Sequence, residues 1–269
     1  MELRFIIRPS GCDLVSVAAL ENLRRDTELR SQTDRRISTA WVLLPIVAFL
    51  LAISVSVVYG LAVLSASSTV STILGGFILI AGVGLASEVL FLYFFYMLIR
   101  RRNQHFLRQQ RVFSDLVTTL RAVAIKKSMN IDPMLGSIDN TLRQTQAEET
   151  EKSAVLWVLL MLAPLVSIVA MLYVLYFLTT DFPKHERRED GMLSDVERAL
   201  ALTGVQFIFH RNDPIPQRSF ALYLIITIIT VGIFGLYWEY VLIKDPNNHF
   251  ANHAAYEPQL IQLFAPLVG

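Results

Sequence analysis

The sequence predicts an all-α polytopic membrane protein. Three observations carry that expectation: a shortage of charge, four apolar stretches of spanning length, and polar segments whose apolar residues recur at helical spacing. Of 269 residues, 54% are apolar and 17% charged, with mean hydropathy +0.47; a soluble domain carries about 25% charged residues. The charges lie in blocks separated by nearly charge-free stretches, the pattern of a chain that crosses lipid several times. This balance excludes a disulfide scaffold and an ordinary soluble enzyme. A net charge of +1 offers no field for polyanions, so no nucleic-acid partner is expected. The lone Cys12 reads as a free thiol.

Taken in order, residues 1–36 hold seven arginines and no apolar run of signal-peptide length, so the first span is expected to serve as the insertion signal. Residues from about Asp13 to Arg36 suit a cytoplasmic helix. The four stretches that can cross about 30 Å of hydrocarbon are Thr39–Leu64, Ile73–Ile99, Ala154–Leu178 and Phe220–Ile243. Pro45 and Pro164 fall inside two of them and predict mild kinks. Trp41, Tyr93, Tyr96, Trp157, Tyr173, Tyr176, Tyr237, Trp238 and Tyr240 gather near stretch ends as an interfacial belt. Ala48, Ala52, Ser56 and Gly60 recur every four residues, and Gly82, Gly84 and Ala86 follow in the second span, so these two spans are expected to pack as a hairpin.

Sidedness follows from Lys and Arg. Residues 100–152 carry ten of them, opening with Arg100, Arg101 and Arg102, an expected topology anchor at lipid headgroups. That segment and both termini are therefore expected in the cytoplasm, and Thr179–Arg218 outside, although this loop carries six basic residues of its own. Phe106, Phe113, Leu116, Val117, Leu120 and Val123 fall on one helical face, Asp132-Pro133 starts a helix, and Leu193–Leu202 suits a short amphipathic one.

Comparing the chain with itself reveals an internal repeat. Leu92–Phe106 and Leu236–Phe250 match at eight of fifteen positions without gaps, including Asn103/Asn247, His105/His249 and Phe106/Phe250. The expected organisation is two tandem copies, 1–124 and 125–269. Each has a cytoplasmic helix and two spans, and the copies are related by a pseudo-twofold axis along the membrane normal. Gly232-Ile233-Phe234-Gly235-Leu236-Tyr237-Trp238 followed by Asn247-x-His249-Phe250 resembles an uncharacterised family of small prokaryotic membrane proteins. The resemblance covers about thirty residues of the second copy. It implies a membrane location and no mechanism.

Candidate functional residues are few. Glu88 lies deep in the second span, where a carboxylate costs about 2.5–3.5 kcal/mol, so it is expected to face protein or water. Asn103, His105, Asn247 and His249 read as a polar collar where helices leave the membrane, hydrogen-bonded to backbone carbonyls or lipid phosphates. His249 and His253 also have the spacing of a helical metal pair, with Glu257 the best acidic companion, and opposed histidines can hold haem. The collar is the preferred reading, so no metal and no cofactor is expected. No phosphate-binding loop, nucleophile elbow or zinc-protease motif occurs. The expected function is a non-catalytic structural or accessory subunit of a membrane assembly, not an enzyme, partnered by the bilayer and by copies of itself or a larger complex. The alternative is a small oligomeric channel or transporter built around Glu88.

Overall fold

The structure is a computed structural model that describes residues 11–65 and 70–268. The first ten residues, on which the expectation of no signal peptide partly falls, and most of the link between the first two stretches lie outside them. Every described element is a helix. After α1 (Gly11–Glu28) and the short α2 (Arg30–Thr33), a 3-10 turn (Thr39–Leu43) leads into α3 (Leu44–Ser65), which is followed by the long α4 (Val70–Lys126). Then come α5 (Asp132–Glu148), α6 (Ala154–Leu162), α7 (Ser167–Leu202), α8 (Phe220–Ile229) and α9 (Ile233–Val268).

Three hairpins of one plan organise the chain: α3–α4, α6–α7 and α8–α9. In each, a serine caps the inbound helix by accepting a backbone N–H. Ser38 accepts from Ala40, Ser153 from Leu156 and Ser219 from Leu222, which satisfies donors that a helix start leaves unpaired. Each outbound helix then runs past its apolar part into a common polar bundle.

The first hairpin matches expectation in length. Thr39–Leu64 and Ile73–Lys126 are long and apolar enough to cross a membrane. Pro45 is the second residue of α3, a position where a missing N–H costs nothing. Tyr59 lies over Gly76 and donates to the Ile73 carbonyl at 2.9 Å. Gly60, Gly82 and Gly84 instead have open space where a side chain would be, so these three glycines are not at the contact between the two helices.

The other two stretches depart from expectation. Ala154–Leu178 and Phe220–Ile243 are not single spanning helices; each is broken near its middle. Pro164 disfavours helical geometry at the residue before it, and Ala163 is accordingly extended (ψ 113°). The chain reverses and restarts at Ser167. In the third hairpin Val231 (φ 51°) and Gly232 (φ 89°) are both left-handed. Gly232 closes α8 by donating to the Thr227 carbonyl at 2.8 Å, the glycine-terminated stop common at helix ends. The inbound arms α6 and α8 have nine and ten residues, or about 14 and 15 Å at 1.5 Å per residue. That is half of a ~30 Å hydrocarbon core.

Because α6–α7 turns back, Thr179–Arg218 returns to the end of the molecule that holds the distal half of α4. The α7 residues Met192, Leu193, Val196, Ala199 and Leu200 share one core with α1, α5 and the distal halves of α4 and α9. This segment therefore sits with the basic segments from which it was expected to be separated, and its six basic residues cease to be anomalous.

Superposing the hairpins in sequence extends the repeat to three copies. Leu92/Leu172/Leu236, Tyr93/Tyr173/Tyr237, Tyr96/Tyr176/Tyr240, Leu98/Leu178/Leu242 and His105/His185/His249 recur along α4, α7 and α9. The boundary expected between residues 124 and 125 falls inside α4. Asparagines lock the ring of hairpins together. Asn103 on α4 donates to the Lys152 carbonyl (2.6 Å) and accepts its N–H (3.1 Å), fixing the entry to α6. Asn247 on α9 treats Ile37, at the entry to α3, in the same way (2.8 and 3.1 Å). The matching position on α7 is Pro183, and there Arg218, at the entry to α8, is held by Asp245 instead (2.7 and 3.1 Å). Asn247→Ala leaves both backbone groups of Ile37 without their partner, and each buried unpaired group costs about 1–3 kcal/mol. For this half-buried residue a loss of about 2 kcal/mol is expected, measurable as a lowered thermal midpoint in detergent.

Candidate metal centre

Along α4, α7 and α9 two apolar cores enclose a polar layer. The membrane-side core holds Phe94, Phe95, Ile99, Val174, Phe177, Trp238 and Ile243; the distal core begins at Val112 and Phe113. Between them Phe106, Phe182 and Phe250 pack around the histidines. His105, His185, His249 and His253 are 0–1% exposed. The rings of His105, His185 and His249, one from each outbound helix, meet pairwise with centroids 4.9–5.4 Å apart. One helical turn further on, the equivalent positions are Gln109, Glu189 and His253, also buried. The layer is thus two tiers of three side chains around a pseudo-threefold axis.

Every one of these rings offers its Nδ1 to a carboxylate. His105 meets Asp34 (2.9 Å), His185 meets Glu149 (2.8 Å), His249 meets Glu186 (2.9 Å) and His253 meets Glu257 (2.9 Å). The carboxylates are braced in turn. Arg108 donates to Asp34 and Glu257, both at 2.7 Å. Arg188, three residues after His185 as Arg108 is after His105, donates to Glu149 at 2.9 Å. Arg211 donates to Glu189 at 2.9 Å and lies 3.3 Å from Glu186. Tyr256 donates to Glu189.

A carboxylate at Nδ1 keeps the ring proton there and turns the Nε2 lone pair the other way. Those lone pairs converge. His249 Nε2 is 3.0 Å from His105 Nε2 and 3.0 Å from His253 Nε2. Glu189 Oε1 is 3.1 Å from His253 Nε2, and Oε2 is 3.6 Å from His249 Nε2. The ligand atoms of His105, His249 and His253 lie within 4.8 Å of one another, as do those of His185, Glu189 and His249. His185 Nε2 is buried and has no hydrogen-bond partner among the described residues. Lone pairs crowded in a dry layer repel unless a cation sits among them, and carboxylate-backed imidazoles are the usual ligands of such a cation.

In the absence of an ion, one proton is held unevenly across the layer, on His253. Burial pushes the His105 imidazole down to about 4, despite Asp34 beside it. Burial and the charge on His253 hold His249 well below the ordinary range. Burial also opposes charge on His253, but Glu189 and Glu257 outweigh it and raise that ring to about 9. Glu189 loses solvation, yet His253 and Arg211 keep it well below the usual carboxylate range. Burial, then Glu189 and Glu257, push the Tyr256 phenol well above its ordinary value, so it stays a donor.

The sequence-based candidates divide sharply. His105 and His249 face the axis, not lipid, and His253 and Glu257 join them. Asn103 and Asn247 hold backbone rather than headgroups. Of the arginine cluster only Arg100 stays exposed. Arg101 is buried against Asn247 (3.0 Å) and the Leu242 carbonyl (2.9 Å). Arg102 is buried against Asp181 (2.7 Å) and the Thr150 carbonyl (2.8 Å), over the Phe106 ring. These two arginines bind the bundle together, which removes them from the headgroup role. Glu88 is exposed on α4. His185, Glu189, Asp34, Glu149 and Glu186 were missed. The signal that could have found His185 is the shared His-x-x-Arg of 105–108 and 185–188, together with Leu-Tyr-x-x-Tyr-x-Leu upstream.

The fold and this layer define a class: a helical bundle on apolar hairpins, built around a buried histidine–carboxylate cluster. Residues 218–269 match the model of a domain of unknown function, DUF4234. The match begins at Arg218, beside the Ser219 cap, and covers the third hairpin and its His249–Glu257 arm. No curated protein and no solved structure matches the chain.

Proposed function

We propose that the protein is a membrane-anchored metal-binding protein that holds one divalent transition-metal ion in the layer between its two apolar cores. The convergence of Nε2 atoms whose Nδ1 partners are all carboxylates carries this reading. The candidate ligands fall in two triads that share His249, namely His105–His249–His253 and His185–Glu189–His249, and Asp34, Glu149, Glu186 and Glu257 orient the histidines. Elemental analysis of protein purified in detergent is expected to find about one equivalent of a first-row transition metal. Metal-free protein that also takes up none on anaerobic reconstitution overturns the proposal.

In the membrane, the α3–α4 hairpin crosses the bilayer, and α6–α7 and α8–α9 dip into one leaflet and return. All soluble segments then lie on the basic side, which the Lys/Arg rule assigns to the cytoplasm. Leu165 and Val231, at the two hairpin tips, are 97% and 91% exposed, and here the environment is hydrocarbon. Cysteines placed at 165 and 231 in a Cys12→Ser background are expected to resist membrane-impermeant maleimides from both sides and to react after detergent is added. Labelling of either from the outer face of intact cells contradicts the half-depth placement.

The accessory role remains the proposed biological setting, with copies of itself or a larger membrane complex as partner, in the cell membrane of a prokaryote. The transport alternative has less behind it, because Glu88 is exposed on α4.

A further inference from the structure

Resting on the metal reading above, we infer that the ion has two alternative stations, His105–His249–His253 between α4 and α9 and His185–Glu189–His249 between α7 and α9, and that the donor they share lets either be filled but never both.

The shared donor carries the argument. His249 has one ring nitrogen to offer, because its Nδ1 meets Glu186 at 2.9 Å and keeps the ring proton there. A neutral imidazole then has a single free lone pair, on Nε2, and one lone pair holds one ion. The other donors belong to one triad each. His105 and His253 bring Nε2 atoms to 3.0 Å from that of His249. On the other side, Glu189 Oε2 is 3.6 Å from His249 Nε2, and His185 has the buried Nε2 without a hydrogen-bond partner among the described residues. Three histidines, or two histidines and a carboxylate, are each a sufficient set of protein ligands, with the remaining positions left to water or another ligand.

The pseudo-threefold layer has three helix interfaces, and the sequence equips two of them. Between α4 and α7 stand His105 and His185, but one turn on from His105 the residue of α4 is Gln109. Its amide carries no charge, and its nitrogen donates to Glu257 at 2.9 Å. Among the described residues no triad forms at that interface. Charge agrees with a single ion. Five carboxylates, Asp34, Glu149, Glu186, Glu189 and Glu257, are bonded to the rings and are at most 4% exposed. Three arginines no more than 14% exposed, Arg108, Arg188 and Arg211, brace them. With the rings neutral, five against three leaves two negative charges, which one divalent ion neutralises and a second would reverse in a dry layer. Arg30, Glu148 and Asp190 join from the rim at 27%, 49% and 43% exposure, where water screens them. The choice of station matters for the assembly of the fold. An ion at the first ties the α3–α4 hairpin to α8–α9, and an ion at the second ties α6–α7 to α8–α9.

The test uses full-length protein in detergent titrated with cobalt(II), whose visible absorption reports its ligands, with bound metal counted after desalting. Wild type is expected to bind about one equivalent at saturation. His105→Ala is expected to keep the ion at the α7 station, His185→Ala to keep it at the α4 station with a different spectrum, and the double variant to keep none. The wild-type spectrum is expected to be a weighted sum of the two single-variant spectra. Affinities of alternative stations add, so loss of the weaker one is expected to weaken cobalt binding by no more than about twofold. Two equivalents in wild type overturn the exclusion. Loss of the ion from either folded single variant, or its retention by the double variant, overturns the two-station inference while the metal proposal stands. Zinc, counted in the same way, takes the place of cobalt(II) if zinc alone binds, and uptake of neither overturns both readings. His253→Gln and Glu189→Gln break the same two triads and serve if an alanine variant does not fold. The wild-type count decides the exclusion by itself.

Discussion

His249→Ala is expected to abolish metal binding, from about one equivalent to a trace, and to lower the thermal midpoint by the largest margin of any single substitution in the chain. His249 is the residue shared by both ligand groups: its Nε2 is 3.0 Å from that of His105 and from that of His253. The substitution acts twice. It removes the stabilisation that comes from a ligand binding only the folded state, about 4 kcal/mol at a free metal concentration a thousand times Kd. It also leaves Glu186 facing a void where Nδ1 stood at 2.9 Å, with Arg211 its remaining charged partner. Leaving a buried acceptor without its partner costs about 1–3 kcal/mol. At about 2–4 °C per kcal/mol for a chain of this size, a fall of more than 10 °C is expected. Tryptophan fluorescence melts of both proteins, each with and without a strong chelator, separate the two effects. Chelator is expected to lower wild type toward the variant and to leave the variant unmoved. A wild-type midpoint indifferent to chelator removes the ion from the stability of the fold.

The comparison between hairpins shows what a sequence makes visible and what it hides. Apolar length alone is the same for Thr39–Leu64 and for Ala154–Leu178, so both read as spans. They differ in where one proline falls. Pro45 is at a helix start and is harmless, whereas Pro164 is at mid-stretch, and the residue before it leaves helical geometry. The break at Val231–Gly232 is quieter still, since isolated glycine is common in membrane helices. Once two stretches break at their middle, each later segment returns to the end of the molecule from which its hairpin began, a reversal that apolar length alone does not reveal. The repeat was legible between α4 and α9 because Asn, His and Phe survive at fixed spacing in both. In α7 the same positions read Pro183, His185 and Glu186, so the third copy keeps one of the three. The collar histidines were found and their direction was not. A helix that leaves a membrane shows its polar residues in sequence, but only the neighbouring helices decide whether they meet water or one another. Asp34 and Glu149 lie in ordinary charged segments, and nothing local marks them as partners of rings 71 and 36 residues away.

Arg108→Leu is expected to cost about 3–5 kcal/mol, and Arg188→Leu markedly less, although the two arginines occupy equivalent positions of the repeat. Both stand three residues after an axial histidine, and both donate to the carboxylate that orients that histidine. They differ in burial. Arg108 is 2% exposed and holds two carboxylates, Asp34 and Glu257, that are themselves 2% and 0% exposed. Without it two anions stay in a dry layer, which is the costly way to break a buried ion pair. Arg188 is 14% exposed, and of its partners Glu149 is buried but Glu148 is 49% exposed, so water replaces much of what the substitution removes. The consequences are local as well as global. Asp34 joins the segment after α2 to the His105 ring, Arg30 of α2 adds bonds to Glu257 and to the His253 carbonyl, and α1 packs on α4 and α9. Arg108→Leu is therefore expected to expose the α1–α2 segment to hydrogen exchange and to limited proteolysis before the rest of the bundle opens, and Arg188→Leu to leave that segment protected. Equal losses from the two variants would mean that burial does not set the strength of the outer carboxylate shell, and that Asp34 is not what ties the N-terminal helices to the centre.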